Sequence, residues 1–122
     1  MTSVLIVDDE LSIIEFLKNV LDYYGFELKG IARNGKEAVD KYKKFNSKPD
    51  IILMDHRMPI KTGLEAAKEI LEYDPKASVI FTSADEYIKE KALSLGAVTF
   101  KTKPFTIEHL LENINKILRR KL

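Results

Sequence analysis

Ser3-Val4-Leu5-Ile6-Val7-Asp8-Asp9-Glu10 is the stretch on which the reading of this chain turns. Ser3 to Val7 is β-branched and apolar, the composition of a central strand, and three carboxylates follow it without a break. The same arrangement recurs downstream. Ile51 to Met54 closes at Asp55, Val79 to Phe81 leads to Thr82, and Ala97 to Phe100 comes shortly before Lys103 and Pro104. One end of several strands therefore carries Asp8, Asp9, Asp55, Thr82 and Lys103, and that end is where an open α/β sheet binds its ligands.

Segments of helical period separate these runs. Glu10 to Tyr24 places Leu11, Ile14, Leu17, Leu21 and Tyr24 on one face and stops at Gly25. Phe26 to Ala32 alternates like an edge strand. Asn34 and Gly35 then open a helix with Ala38, Val39, Tyr42 and Phe45 inward, Asn34 serving as its cap. After Asp55 a polar loop through Met58, Pro59 and Gly63 leads to a helix with Leu64, Ala67, Ile70 and Leu71 inward, ended by Asp74-Pro75. A weaker helix runs from about Asp85 to Leu95 and closes at Gly96. The last, Thr106 to about Arg120, has the clearest stripe: Ile107, Leu110, Leu111, Ile114, Ile117 and Leu118. Five βα units with short, right-handed crossovers predict a doubly wound parallel sheet with helices on both faces.

Composition narrows the function. The 122 residues suit one domain, spanning 1–122, and 45% hydrophobic with 32% charged content is ordinary for a globular protein. Twenty Lys and Arg against nineteen Asp and Glu leave a net charge of +1, too small a field to argue for nucleic acid or an anionic membrane. The absence of cysteine excludes disulfides, thiol catalysis and cysteine-based zinc sites. No apolar run approaches the ~20 residues of a membrane helix, and the N-terminus enters a strand without a signal-like region, so a cytoplasmic protein is expected.

The strand-end chemistry points to a metal. Neither a Gly-x-Gly-x-x-Gly turn nor a Gly-x-x-x-x-Gly-Lys loop is present, so phosphate is not gripped by a glycine-rich backbone. Carboxylates repel phosphate unless a hard cation lies between them, and the expected cofactor is Mg2+. Two carboxylates about 5 Å apart repel by roughly 3 kcal/mol at an effective dielectric of 20. Asp55, one carboxylate of the Asp8-Asp9 pair with its neighbour, Mg2+ and Lys103 sum to zero charge. Adding a phosphoryl group to Asp55 adds about one negative charge, which falls on Thr82 and Lys103, and a charge step of that kind is a switch.

Val7-Asp8-Asp9-Glu10, the segment Pro49 to Pro59, Phe81-Thr82-Ser83-Ala84 and Lys103-Pro104-Phe105, in this order and spacing, resemble a response-regulator receiver domain of two-component signalling, of the chemotaxis-regulator, single-domain type. The resemblance covers nearly the whole chain. It implies a flavodoxin-like (βα)5 fold with strand order 2-1-3-4-5. It also implies that Asp55 accepts a phosphoryl group from a sensor histidine kinase, with Mg2+ held by Asp8, Asp9, Asp55 and the backbone carbonyl of Arg57. Thr82 and Lys103 would engage phosphoryl oxygens, Phe100 would turn inward as Thr82 moves, and the Lys103–Pro104 bond would be cis. Output would pass to a downstream effector through the fourth helix, fifth strand and fifth helix, here Asp85 to Leu95, Ala97 to Phe100 and Thr106 to Arg120. Such a regulator is no enzyme beyond its own phosphotransfer and dephosphorylation.

Individually these residues have plainer roles. Asp9 and Glu10 read as caps of the first helix, Thr82 as a strand residue and Lys103 as a solvated lysine; only their shared strand end raises them. Asp50 reads as a cap before the third strand, His56 as turned away from the pocket and His109 as surface. The cluster Arg119, Arg120 and Lys121 complements a helix C-terminus. Arg57 and Ala84, two residues beyond Asp55 and Thr82, resemble positions that tune the lifetime of the acyl phosphate, Arg57 by shielding it. Phe100 lacks the more common tyrosine hydroxyl, so switching there rests on packing. Two other classes stay open: a phosphorylation-independent receiver-like interaction module, and a Mg2+-dependent phosphohydrolase, whose usual Asp-x-Asp after the first strand is replaced here by adjacent Asp8-Asp9. The chain ends directly after the fifth helix, so no output domain is expected, whether the receiver stands alone or was cut from a longer protein. Monomer and phosphorylation-dependent dimer both fit.

Overall fold

The computed structural model describes residues 1–120; Lys121, the last member of the basic C-terminal cluster, lies outside them. The elements run β1 (Ser3–Val7), α1 (Leu11–Tyr23), β2 (Glu27–Ala32), α2 (Gly35–Lys44), β3 (Ile51–Met54), α3 (Gly63–Tyr73), β4 (Val79–Ser83), a 3-10 turn (Glu86–Ile88), α4 (Lys89–Leu95), β5 (Thr99–Thr102) and α5 (Ile107–Arg120). All four strand pairings are parallel, in the order β2-β1-β3-β4-β5. The first crossover goes one way along the sheet and the rest go the other, which leaves a switch point between β1 and β3.

β1, β3 and β4 are buried at every position, as strands covered on both faces must be, whereas β2 at the edge is only half-buried. Alternate residues of the central strands feed two separate cores. Leu5, Val7, Ile52, Met54, Val79 and Phe81 pack with α2, α3 and α4; Val4, Ile6, Ile51, Leu53 and Ile80 pack with α1 and α5. At about 25 cal/mol per Å2 of apolar surface, these two layers are the main favourable contribution to folding.

Three details of the predicted elements change. In α1 the buried stripe is Ile14, Leu17, Val20 and Leu21, while Leu11 (59% exposed) and Tyr24 face solvent. A helix packed on a sheet buries a narrow stripe, and both residues sit at its frayed ends, Tyr24 just before Gly25 in the left-handed region at φ 79°. The fourth helix is a 3-10 turn followed by only seven α-helical residues, closed at Gly96. β5 covers Thr99–Thr102 and not Ala97 to Phe100: pairing of Ile80 with Thr99 and Ser83 with Thr102 sets its register, and Ala97 and Val98 belong to the connection from α4.

Caps follow the sequence. The Asn34 side chain accepts the Glu37 N–H at 2.8 Å at the start of α2. Thr62 and Glu65 form a reciprocal capping box at the start of α3. Asp50 does more than cap a loop: its carboxylate accepts the Ser3 N–H at 2.9 Å and its own N–H donates to Ser3 Oγ at 3.1 Å, clipping the start of β3 to the start of β1.

Candidate functional site

The backbone hydrogen-bond ladder continues one residue past three strand ends and thereby positions the site. Asp8 N–H donates to the Ala32 carbonyl (3.0 Å), Asp55 N–H to the Val7 carbonyl (2.9 Å) and Lys103 N–H to the Ser83 carbonyl (2.9 Å). Each side chain thus leaves a fixed point on the sheet rim. Thr82 follows Phe81, which pairs with Met54, so it stands beside Asp55 in the register. The Lys103–Pro104 bond is cis, as the resemblance implies.

The side chains converge. Lys103 Nζ donates to Asp8 Oδ2 at 3.0 Å and to Asp55 Oδ1 at 3.4 Å. Asp8 is 1% and Asp55 6% exposed, so the ammonium bridges two carboxylates in a region poor in water. Burial and the Asp8 charge push the Asp55 carboxyl up to about 6, against the opposing pull of Lys103. For Lys103, burial alone would lower its value, but Asp55 and Asp8 together raise it, so the ammonium stays charged. Asp8 also accepts the Glu10 N–H at 3.0 Å, a turn that aims the acidic run into the site. Capping does not account for that run: Glu10 is the N-cap of α1, yet its side chain makes no capping bond.

The residues present suit a hard cation. Asp8, Asp9 and Asp55 each offer an oxygen, and these oxygens lie within 4.8 Å of one another. All the donors are carboxylates, the ligand class Mg2+ prefers, and one ammonium leaves the cluster with a surplus negative charge. Arg57 lies at the rim with its carbonyl on the loop that follows Asp55.

A cavity of about 110 Å3 opens beside Asp55, lined by Glu10, Arg57, Ser83, Ala84, Asp85 and Lys103. Residues 4–115 match the sequence profile of the response regulator receiver domain. The chain belongs to the response-regulator receiver family. It is 42% identical over 116 residues to the chemotaxis protein CheY of Thermotoga maritima, covering 93% of this chain and 95% of that protein. With CheY of Bacillus subtilis it shares 40% over 117 residues, covering 94% and 96%. Among solved structures, the CheX–CheY–BeF3–Mg2+ complex of Borrelia burgdorferi superimposes with a TM-score of 0.91 at 34% identity, over 96% of this chain and 89% of that one. Membership places the receiver among signalling switches controlled by phosphorylation, and not among classical enzymes.

Within this receiver, some predicted residues take other positions. Arg57 lines the rim of the cavity, where its guanidinium pairs with Asp85 and lies 3.4 Å from the Tyr87 hydroxyl. Phe100 is already inward, stacked on Phe81 with ring centres 6.3 Å apart, in the core that also holds Ile88 and Ala92. Thr82 is buried, between the Phe81 and Ser83 positions. His56 turns away from the cavity, and its Nδ1 accepts the Leu64 N–H at 3.4 Å; burial holds its imidazole below the usual value. His109 is exposed. Gly63 carries a role the sequence did not reveal. A Cβ there would lie 2.0 Å from the Asp55 carbonyl oxygen, so only glycine lets the α3 N-terminus abut the Asp55 backbone. Asp85 was also missed, although the rule that found the others, a polar residue just past a buried strand, applies to it.

Proposed function

We propose that this protein is a phosphorylation-activated signalling switch that accepts a phosphoryl group from a sensor histidine kinase on Asp55 and passes the signal to an effector protein through α4, β5 and α5. The observation that carries the reading is the ammonium of Lys103 held between the buried carboxylates of Asp8 and Asp55. Asp8, Asp9 and Asp55, with the Arg57 carbonyl, would hold Mg2+, which when bound supplies the positive charge an anionic phosphoryl donor needs near a carboxylate cluster.

The chain's own groups then divide the work. An Asp55 carboxylate oxygen attacks phosphorus, the bond from phosphorus to the donor's imidazole nitrogen breaks, and the imidazole leaves with the electron pair. The acyl phosphate carries about one more negative charge than the carboxylate it replaces. Lys103 pairs with one phosphoryl oxygen and the Thr82 hydroxyl donates to another. Movement of Thr82 alters the space beside Phe81 and Phe100, which share a core with Ile88 and Ala92 at the start of α4. Switching from 1:99 to 99:1 needs about 5.5 kcal/mol of preference, more than one charged contact supplies, so repacking must contribute. The partners are proteins, with no direct nucleic-acid contact and no membrane insertion, in the cytoplasm. Among the described residues no helix is long and apolar enough to cross a membrane.

Intact mass after incubation with Mg2+ and acetyl phosphate tests the reading. One added phosphoryl group that requires both Mg2+ and Asp55, and is absent in Asp55→Asn, is the expected result. A folded wild type that gains nothing, and does not respond to beryllium fluoride, would turn the reading to a phosphorylation-independent interaction module.

A further inference from the structure

Arg57 and Asp85 lie on different loops, the one after β3 and the one after β4, and both line the cavity beside Asp55. Their ion pair therefore spans part of the cavity rim. The two partners differ in freedom. Arg57 is 73% exposed along its side chain, whereas Asp85 is 13% exposed. Asp85 is also fixed from below: its N–H donates to Ser83 Oγ at 3.1 Å, and its carbonyl accepts the Ile88 N–H at 3.2 Å at the head of the 3-10 turn. The Tyr87 hydroxyl stands 3.4 Å from the other side of the guanidinium. A mobile cation is thus held at a defined place by an anchored anion and a phenol.

We propose that Asp85, assisted by Tyr87, is a positioning residue that pins the Arg57 guanidinium across the rim of the Asp55 cavity and so slows the entry of the water that hydrolyses the acyl phosphate. The inference rests on the phosphoacceptor reading of Asp55. In the step concerned, a water oxygen attacks phosphorus opposite the Asp55 oxygen. The phosphorus–Asp55 oxygen bond breaks, the carboxylate keeps the electron pair, and inorganic phosphate leaves while the water's proton passes to solvent. The cavity beside Asp55 is small, about 110 Å3, so a phosphoryl group on Asp55 lies close to the Arg57–Asp85 pair at its rim. A planar cation spanning that rim obstructs the approach. Once phosphorylated, Asp55 and Asp85 compete for the same guanidinium. Asp85 already holds the guanidinium at the rim, which keeps the cation across the entrance and away from the floor of the cavity.

The test is the decay rate of the phosphorylated protein after removal of acetyl phosphate, followed by intact mass in Mg2+, for the wild type, Asp85→Asn, Asp85→Glu, Arg57→Ala and the double variant Arg57→Ala/Asp85→Asn. Asp85→Asn and Arg57→Ala should each speed decay by about threefold, the scale an exposed ion pair supports. The double variant should decay no faster than Arg57→Ala, and Asp85→Glu should restore most of the slow decay. Thermal unfolding of each variant checks that the fold is intact. If Asp85→Asn decays at the wild-type rate or more slowly, or if the two single effects multiply in the double variant, Asp85 does not act through Arg57 and the inference is wrong. If the wild type takes up no phosphoryl group, the failure lies with the acceptor reading itself, which the mass of the starting species reveals before any decay is followed.

Discussion

Replacing Asp55 with asparagine should stabilise the metal-free protein, and the structure sets the size of the effect. The Asp55 carboxyl rises from 3.8 to about 6, because it is buried and faces Asp8, with Lys103 only partly compensating. Ionising a carboxyl whose folded value stands about two pH units above its unfolded value costs roughly 3 kcal/mol of folding stability. The sign follows from proton binding. Between pH 3.8 and about 6 the folded state holds the proton more tightly than the unfolded one, so stability falls as pH rises through that window and the deficit is complete above it. Asparagine removes the charge but keeps a buried polar group, so a gain of about 2 kcal/mol is expected at pH 7.5, or roughly 6–12 °C in Tm for a chain of this length. At pH 4.5 the advantage should all but vanish, because only about 1 kcal/mol of the charge cost is present there and the buried amide offsets it. Urea unfolding of both proteins in EDTA at the two pH values measures this directly, and the groups they share cancel in the difference. Saturating Mg2+ should narrow the gap, since a ligand at 100 times its Kd adds about 2.7 kcal/mol to the protein that binds it. An asparagine variant no more stable than wild type at pH 7.5, or an advantage equal at both pH values, would refute the electrostatic account of the site.

Other positions give independent checks. Gly63→Ala places a Cβ 2.0 Å from the Asp55 carbonyl oxygen and should cost about 3 kcal/mol or more in urea unfolding; a loss under about 1 would mean that α3 can retreat. Ile60, 77% exposed with φ 71°, is a β-branched residue in the left-handed region, so Ile60→Gly should raise stability by about 1 kcal/mol, and a lower Tm would contradict that backbone. Thr62→Ala removes half of the capping box and should cost about 1 kcal/mol, measured by the same unfolding curves.

Where the sequence was informative, it was because burial and chemistry coincide at strand ends. Ile51 to Met54 is apolar without alternation, and Asp55 interrupts it with a charge; no edge strand or helix reads that way, so the third strand and the buried carboxylate at its end were legible together. β5 was misplaced by two residues because Thr99, Lys101 and Thr102 are polar. A strand at the sheet's far edge is half-solvated, and its register comes from pairing with β4, which leaves no trace in local composition. The position of Arg57 was not legible either. The direction an exposed arginine takes depends on which anion lies across the gap, and Asp85 reaches it from another loop 28 residues away. Gly63 is likewise understood only when the helix behind it meets the Asp55 carbonyl.

The sheet divides the interior into two apolar layers that share no side chain, one under α2, α3 and α4 and the other under α1 and α5. Layers facing opposite sides of a sheet lie about as far apart as sites whose mutational effects add. A lineage can therefore exchange residues beneath α1 and α5 without renegotiating the packing around Phe81, Phe100 and α4. Such a partition lets one half of the molecule drift toward new neighbours while the half holding the Phe81–Phe100 stack is preserved intact.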